Sequence, residues 1–405
     1  MGFSAAATDT TVTPAERSLL RAQTASYYGA FIALGLVAAV LGPTLPSLAA
    51  NTRTQLQDIS LLFAVRSLGY LLGSLQGGRL YDRRRGHPII AAVLIGIAGL
   101  LALVPLATFL WVLAAIFLAI GIGEGILDVG GNTLLVWGHG ASVGPYMNGL
   151  HFCFGVGAFL GPIIVAQIVA LGGASLWAYW VLAALTAPVA IALLRLPSPA
   201  ARHNAHADAD VRVDYRLVAF IALFFLLYVG AEVGFGGWVF SYAEALRLTD
   251  TTSAAYLTSA FWGALTLGRL LAIPLAARLR PRTILLADLA GCLVSVGCIV
   301  LWPQSIAILW LGAAGLGLAM ASIFPTMLSF AARRMPTTGT ITGWFLVGAS
   351  LGGMSLPWLI GQLFEPFGPR ITMSVILIDL LAACAVFLLL IRYAGRPTIA
   401  KESSD

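Results

Sequence analysis

Glu124, Asp128 and Asn132 fall in one run, GIGEGILDVGGNTLLVWG, inside a stretch otherwise apolar enough to cross a bilayer. Their spacing of four and four advances about one helical turn at a time, so the three side chains form a single polar stripe. A carboxylate near the bilayer midplane costs about 2.5–3.5 kcal/mol on insertion scales. Two on one stripe must face a cavity, a cation or a basic partner. Asp128 falls about 15 Å from the end of its span, at a rise of 1.5 Å per residue. An acid so placed can exchange a proton or bind Na⁺. Asn132 and the adjacent Thr133 add neutral oxygens of the kind a hard cation takes. Glu124 lies one turn further along. Arg66, in another apolar run, has a comparable depth, and two opposite charges that are each costly alone are expected to pair.

The second half of the chain holds its own candidates. Glu232 is flanked by Tyr228 and Trp238 in YVGAEVGFGGW. A carboxylate beside an aromatic suits a sugar, whose hydroxyls bond the acid while its C–H face stacks on the ring. Trp238 also reads as an interfacial aromatic. Asn148 and His151, three residues apart, share a helix face and are expected at a binding site, as are Gln167 and Gln362. Arg269 lies mid-span and needs a carboxylate; Asp288 and Asp379 are the candidates, which gives Arg269 a structural role inside the second half.

The elements that must position these groups are membrane helices. The chain has 405 residues, 59% hydrophobic and 10% charged, against about 25% charged in soluble domains. No phosphate-binding GxxxxGK occurs, which excludes an ATP-driven pump of that type. Cys153, Cys292, Cys298 and Cys384 have no metal-ligand spacing and read as packing residues. Nothing points to a cofactor, a metal or nucleic acid.

Apolar runs cover about 24–50, 57–80, 88–107, 109–138, 145–172 and 175–196, then 214–246, 251–279, 282–301, 304–331, 338–364 and 369–393. This predicts an all-α membrane protein of twelve transmembrane helices in two six-helix bundles, 24–196 and 214–393. A cytoplasmic tail (1–23), linker (197–213) and C-terminal tail (394–405) complete the organisation. Only Arg53, Arg247 and Arg370 fall on one side and Arg66 and Arg269 inside. The remaining Arg and Lys residues share the side of the termini, which places both termini in the cytoplasm.

The halves repeat. LGYLLGSLQGGRLYDR (68–83) aligns without a gap on LGRLLAIPLAARLRPR (267–282), at an offset of 199. GIG (121–123) matches GLG (315–317), and Gly157, Pro162 and Gln167 match Gly352, Pro357 and Gln362. Two parallel six-helix repeats joined by a linker resemble the plan of major-facilitator transporters. GGRLYDRRRGHP resembles that superfamily's signature G-x3-D-R-x-G, with Arg85 as one extra residue before Gly86. The resemblance gives Gly78, Asp82 and Arg83 a gating role. Gly157-x3-Gly161-Pro162 begins like the drug-antiporter motif, but Val165 and Ala166 replace its Gly-Gly pair.

A closer resemblance is to the fucose:proton symporter family, in its sodium-dependent glucose transporter-like branch. ILDVGGNTLLVWG (126–138), MNGLHFCFGVGAFLGPII (147–164) and YVGAEVGFGGWVFSYA (228–243) carry it. It implies that Asp128 is the fourth-helix acid of the coupling site. The first span, YYGAFIALGLVAAVLGPTLPSLAA, has no acid, base or amide, so the further first-helix acid of the bacterial fucose symporter has no counterpart. The expected function is symport of a neutral monosaccharide with H⁺ or Na⁺ by alternating access, in a multi-pass, monomeric protein of the bacterial inner membrane. Drug or metabolite efflux and a transport-dead sensor or scaffold are the alternatives.

Overall fold

The structure, a computed structural model, describes residues 14–199, 214–335 and 339–394. Residues 1–13, most of the expected linker and nearly all of the C-terminal tail lie outside the described residues. Twelve helices are long and apolar enough to cross a membrane. They are α1 (Pro14–Thr52), α2 (Leu56–Arg83), α3 (Gly86–Leu106), α4 (Leu110–His139), α5 (Gly144–Ala170) and α6 (Ser175–Leu194), then α7 (Tyr215–Ala245), α8 (Thr251–Arg278), α9 (Pro281–Leu301), α10 (Ile306–Ala332), α11 (Ile341–Phe367) and α12 (Ile371–Tyr393). No strand occurs among the described residues. Helix is what lipid demands, because every backbone N–H and C=O must be satisfied within the segment.

One boundary departs from expectation. Helix α1 starts at Pro14, well before the apolar run that begins near residue 24. Pro14 suits a first turn, where its missing N–H costs nothing, and Glu16 favours the positive end of the helix dipole. The added turns carry exposed Arg17 and Arg21. Two helices are interrupted: α2 at Ser60, and α10 between Met320 and Ile323.

Twelve crossings return the chain to the side where it began. The start of α1, the end of α6, the start of α7 and the end of α12 therefore share one face, here called the terminal face. Within each half, the tightest crossings are made by glycine. A Cβ on Gly157 of α5 would collide with the backbone oxygen of Ile32 on α1. Its repeat mate Gly352 of α11 meets the Leu226 oxygen of α7 in the same way. Lipid supplies no hydrophobic drive between helices, so such close backbone approach, rich in dispersion contacts, is what holds a bundle together.

The halves meet along three seams: α5 with α8, α2 with α11, and α1 with α7. Toward the face opposite the termini these seams are tight. A Cβ on Gly42 would sit 2.8 Å from the Gly236 oxygen. Phe63 of α2 packs against Trp238 of α7 with ring centroids 6.2 Å apart.

Candidate functional site

A cavity of about 1030 Å³ lies between the two halves. Its walls reach Leu279, Pro281 and Arg333 at the terminal-face ends of α8, α9 and α10, and stop at Gly42, Phe63, Gly236 and Trp262 toward the other end. The cavity therefore opens to the terminal face and is closed at the opposite one.

The first-half wall carries the polar stripe. Arg66 of α2 donates from Nε to Glu124 Oε2 at 2.8 Å and from Nη2 to Oε1 at 2.6 Å, a bidentate pair. Its Nη1 donates to the Ala38 carbonyl of α1 at 3.2 Å. Glu124 is 2% exposed, so the pair neutralises a buried acid and ties three helices together. One turn nearer the terminal face, Asp128 accepts from Tyr70 Oη at 2.6 Å and from Asn132 Nδ2 at 3.1 Å. The same Asn132 amide reaches the Asp128 carbonyl at 2.9 Å. His151 of α5 is exposed to the cavity. Phe31 meets its ring edge-on, 6.0 Å away. Asn148 and Thr133 line the cavity as well.

The second-half wall is built differently. Glu232 of α7 and Arg269 of α8 both line the cavity. Arg269 makes no ion pair and no hydrogen bond with any described residue. Asp288 accepts instead from Ser322 at the break in α10. Asp379 is 8% exposed, with Oδ2 unpartnered among the described residues. The expected structural pairing of Arg269 with either acid is thus corrected: Arg269 is a cavity residue.

Three further expectations are corrected. Trp238 is fully buried outside the cavity; its Nε1 donates to the Pro357 carbonyl at 2.9 Å, and its ring packs on Phe364. Tyr228 sits behind the wall and donates to the Met320 carbonyl at 3.1 Å. Gln167 and Gln362 do not line the cavity. Gln167 Nε2 donates to Tyr256 Oη of α8, and Gln362 exchanges bonds with Gln57 of α2, accepting from its Nε2 at 3.1 Å and donating to its carbonyl at 3.0 Å. Both join the halves across the closed face. The offset of 199 that relates α2 to α8 carries Gln57 onto Tyr256, so the two bridges are images of each other. Gly78, Asp82 and Arg83 are exposed at the terminal-face end of α2, and Asp82 forms no ion pair among the described residues.

Tyr70 and Trp262 escaped the sequence reading. Tyr70 is one turn from Arg66 on α2 and is the repeat mate of Arg269, two signals that could have placed it on the cavity face. Trp262, not Trp238, is the tryptophan of the second-half wall. It is 8% exposed, and its Nε1 has no partner among the described residues.

A family model described as Major Facilitator Superfamily matches residues 27–357. The chain belongs to the major facilitator superfamily. Its sequence is similar to sodium-dependent glucose transporter 1 of Danio rerio, 33% identical over 82% of this chain and 63% of that protein. It is 31% identical to sodium-dependent glucose transporter 1A of Mus musculus, over 83% of this chain and 88% of the relative. These relatives place it in their branch of the superfamily. The chain spans less than two thirds of the length of the Danio rerio protein. Among solved structures, a bacterial homologue of the human lysosomal transporter Spinster, in an inward-facing and occupied conformation, superposes with a TM-score of 0.75. It is 13% identical over 94% of this chain and 98% of that one, so it bears on the fold alone. The protein is a multi-pass membrane transporter rather than an enzyme.

Proposed function

We propose that this transporter carries a neutral monosaccharide, glucose-like, in symport with H⁺ or Na⁺. The observation that carries the reading is the division of the cavity walls. The first-half wall holds Asp128 in a hydrogen-bonded setting beside a neutralised Glu124–Arg66 pair, while the second-half wall offers an acid, a guanidinium and an indole to a polyol. The names of the sequence relatives support the sugar. We assign coupling to Asp128, with Asn132 and Tyr70 orienting its carboxylate and Glu124–Arg66 supporting it.

A cation arriving at Asp128 cancels the charge that holds the unloaded carboxylate to its donors, and closing the cavity then buries no net charge there. The two bundles rock about the substrate, and Gly78, Asp82 and Arg83 act at the terminal-face gate when that face closes. The positive-inside pattern puts the terminal face in the cytoplasm, which makes the open cavity inward-facing. Asn148 and His151 complete the first-half wall around the sugar.

The test is uptake of labelled glucose into proteoliposomes under an imposed Na⁺ gradient, then under a pH gradient. Accumulation driven by one of them is expected. Asp128→Asn should still equilibrate sugar but lose gradient-driven accumulation. Accumulation by Asp128→Asn that still follows the gradient would remove Asp128 from coupling.

A further inference from the structure

Arg66 and Arg269 are both guanidiniums within membrane spans, and they are treated in opposite ways. Arg66 commits three nitrogens to protein acceptors. Arg269 commits none among the described residues. Arg269 is partly exposed to the open cavity, so its five N–H donors are free of acceptors among the described residues and available to a ligand that enters there. Glu232 lines the same cavity from the neighbouring helix and forms no ion pair with Arg269. Both side chains therefore face one cavity from adjacent helices, α7 and α8. The fold presents an acid and a base to the same cavity without pairing them.

We propose that Arg269 and Glu232 form a clamp for two adjacent hydroxyls of the substrate, an assignment that rests on the sugar reading. A hydroxyl has one proton to donate and two lone pairs to accept with. One hydroxyl can therefore donate to Glu232 while it accepts from Arg269. A neighbouring hydroxyl meets the second arm of the guanidinium, whose fixed fork spans two oxygens at once. The two protein charges cancel, so the clamp selects a neutral polyol over a sugar acid or an amino sugar. Trp262 lies seven residues from Arg269, two turns along the same face of α8, and supplies an apolar wall above the clamp. Arg269 is thus a specificity-determining residue of the sugar site rather than a strut within the second bundle.

The experiment is calorimetric binding to the purified full-length protein in detergent. The ligands are glucose and its 2-, 3-, 4- and 6-deoxy analogues, and the proteins are wild type, Arg269→Gln and Arg269→Lys. Arg269→Gln should weaken glucose binding by about 10- to 100-fold, the range for a hydrogen bond to a charged group. Arg269→Lys keeps the charge and loses the fork, so it should weaken binding at least about tenfold while remaining folded and monodisperse. In wild type, two neighbouring deoxy positions should bind much more weakly than glucose. In the variants those same two positions should carry little further loss. Glucose affinity unchanged in either variant, or deoxy penalties identical in wild type and variants, overturns the clamp while leaving the sugar reading standing. A wild type that binds none of the five sugars overturns both.

Discussion

The paired bridges at the closed face make a quantitative prediction about the resting state of the carrier. Replacing Gln167 and Gln362 together by Leu keeps side-chain size and removes three hydrogen bonds that join the halves: Gln167 to Tyr256, Gln57 to Gln362, and Gln362 to the Gln57 carbonyl. The contact of Gln362 Nε2 with Ser60 Oγ, at 3.4 Å, is too long to add much. A neutral hydrogen bond contributes about 0.5–1.5 kcal/mol net, so three contribute about 1.5–4.5 kcal/mol. Gln167 is exposed, which favours the low end. Those bonds exist only while the face opposite the termini is closed. Their loss should therefore shift the population toward the state open at that face, by at least about tenfold. Spin labels at exposed Leu171, which caps the end of α5, and at exposed Phe367 of α11, on a background free of native cysteines, would report the separation of the halves there. A longer-distance population should appear or grow in the double variant, with each single variant between. A distribution unchanged from the parent, or one shifted toward shorter distances, would refute the assignment of these glutamines to the closed-face latch.

Two further perturbations test the packing beneath the site. Arg66→Leu leaves Glu124 buried without its partner and should cost about 3–5 kcal/mol, whereas Arg66→Leu with Glu124→Leu should recover most of that. Equal unfolding midpoints in detergent for single and double variants would argue against the pair as the source of the loss. Gly157→Ala should lower the thermal midpoint, because the new Cβ meets the Ile32 backbone and overpacking costs about 1–3 kcal/mol. Gly96→Ala, where nothing lies within 4 Å of the added atom, should instead be neutral or gain up to about 1 kcal/mol of helix propensity. Equal responses at the two glycines would contradict the crossing of α1 and α5 described above.

The helices and the first-half wall were legible because the physics behind them is local. A run of about twenty apolar residues dictates a span, and acids at i and i+4 dictate a shared face. Depth counted along α2 and α4 was enough to suggest Arg66 for Glu124, since rise per residue is fixed. What depended on two bundles meeting was not legible. Trp238 and Trp262 each lie next to a glycine, Gly237 and Gly263, and both carry an indole N–H. Only packing decides that one bonds the Pro357 carbonyl and the other faces the cavity. Gln167 and Gln362 were recognisable as a repeat-related pair, but their partners lie in the opposite half, where single-helix periodicity says nothing. Arg269 shows the same limit. Counting charges supplied Asp288 and Asp379 as partners; the break in α10 gave the first to Ser322, and the second pairs with no arginine among the described residues.

The unequal walls of the cavity have a consequence for how such a carrier diversifies. In the first-half wall, Arg66 is locked to Glu124 and Tyr70 to Asp128, so a change at any of the four disturbs more than one helix. Arg269 and Trp262 commit no side-chain hydrogen bond to the described fold. On the proposed assignment of coupling to Asp128, lineages, or libraries in the laboratory, can exchange residues along the cavity faces of α7 and α8 and drift from one solute to another without touching that acid or its partners.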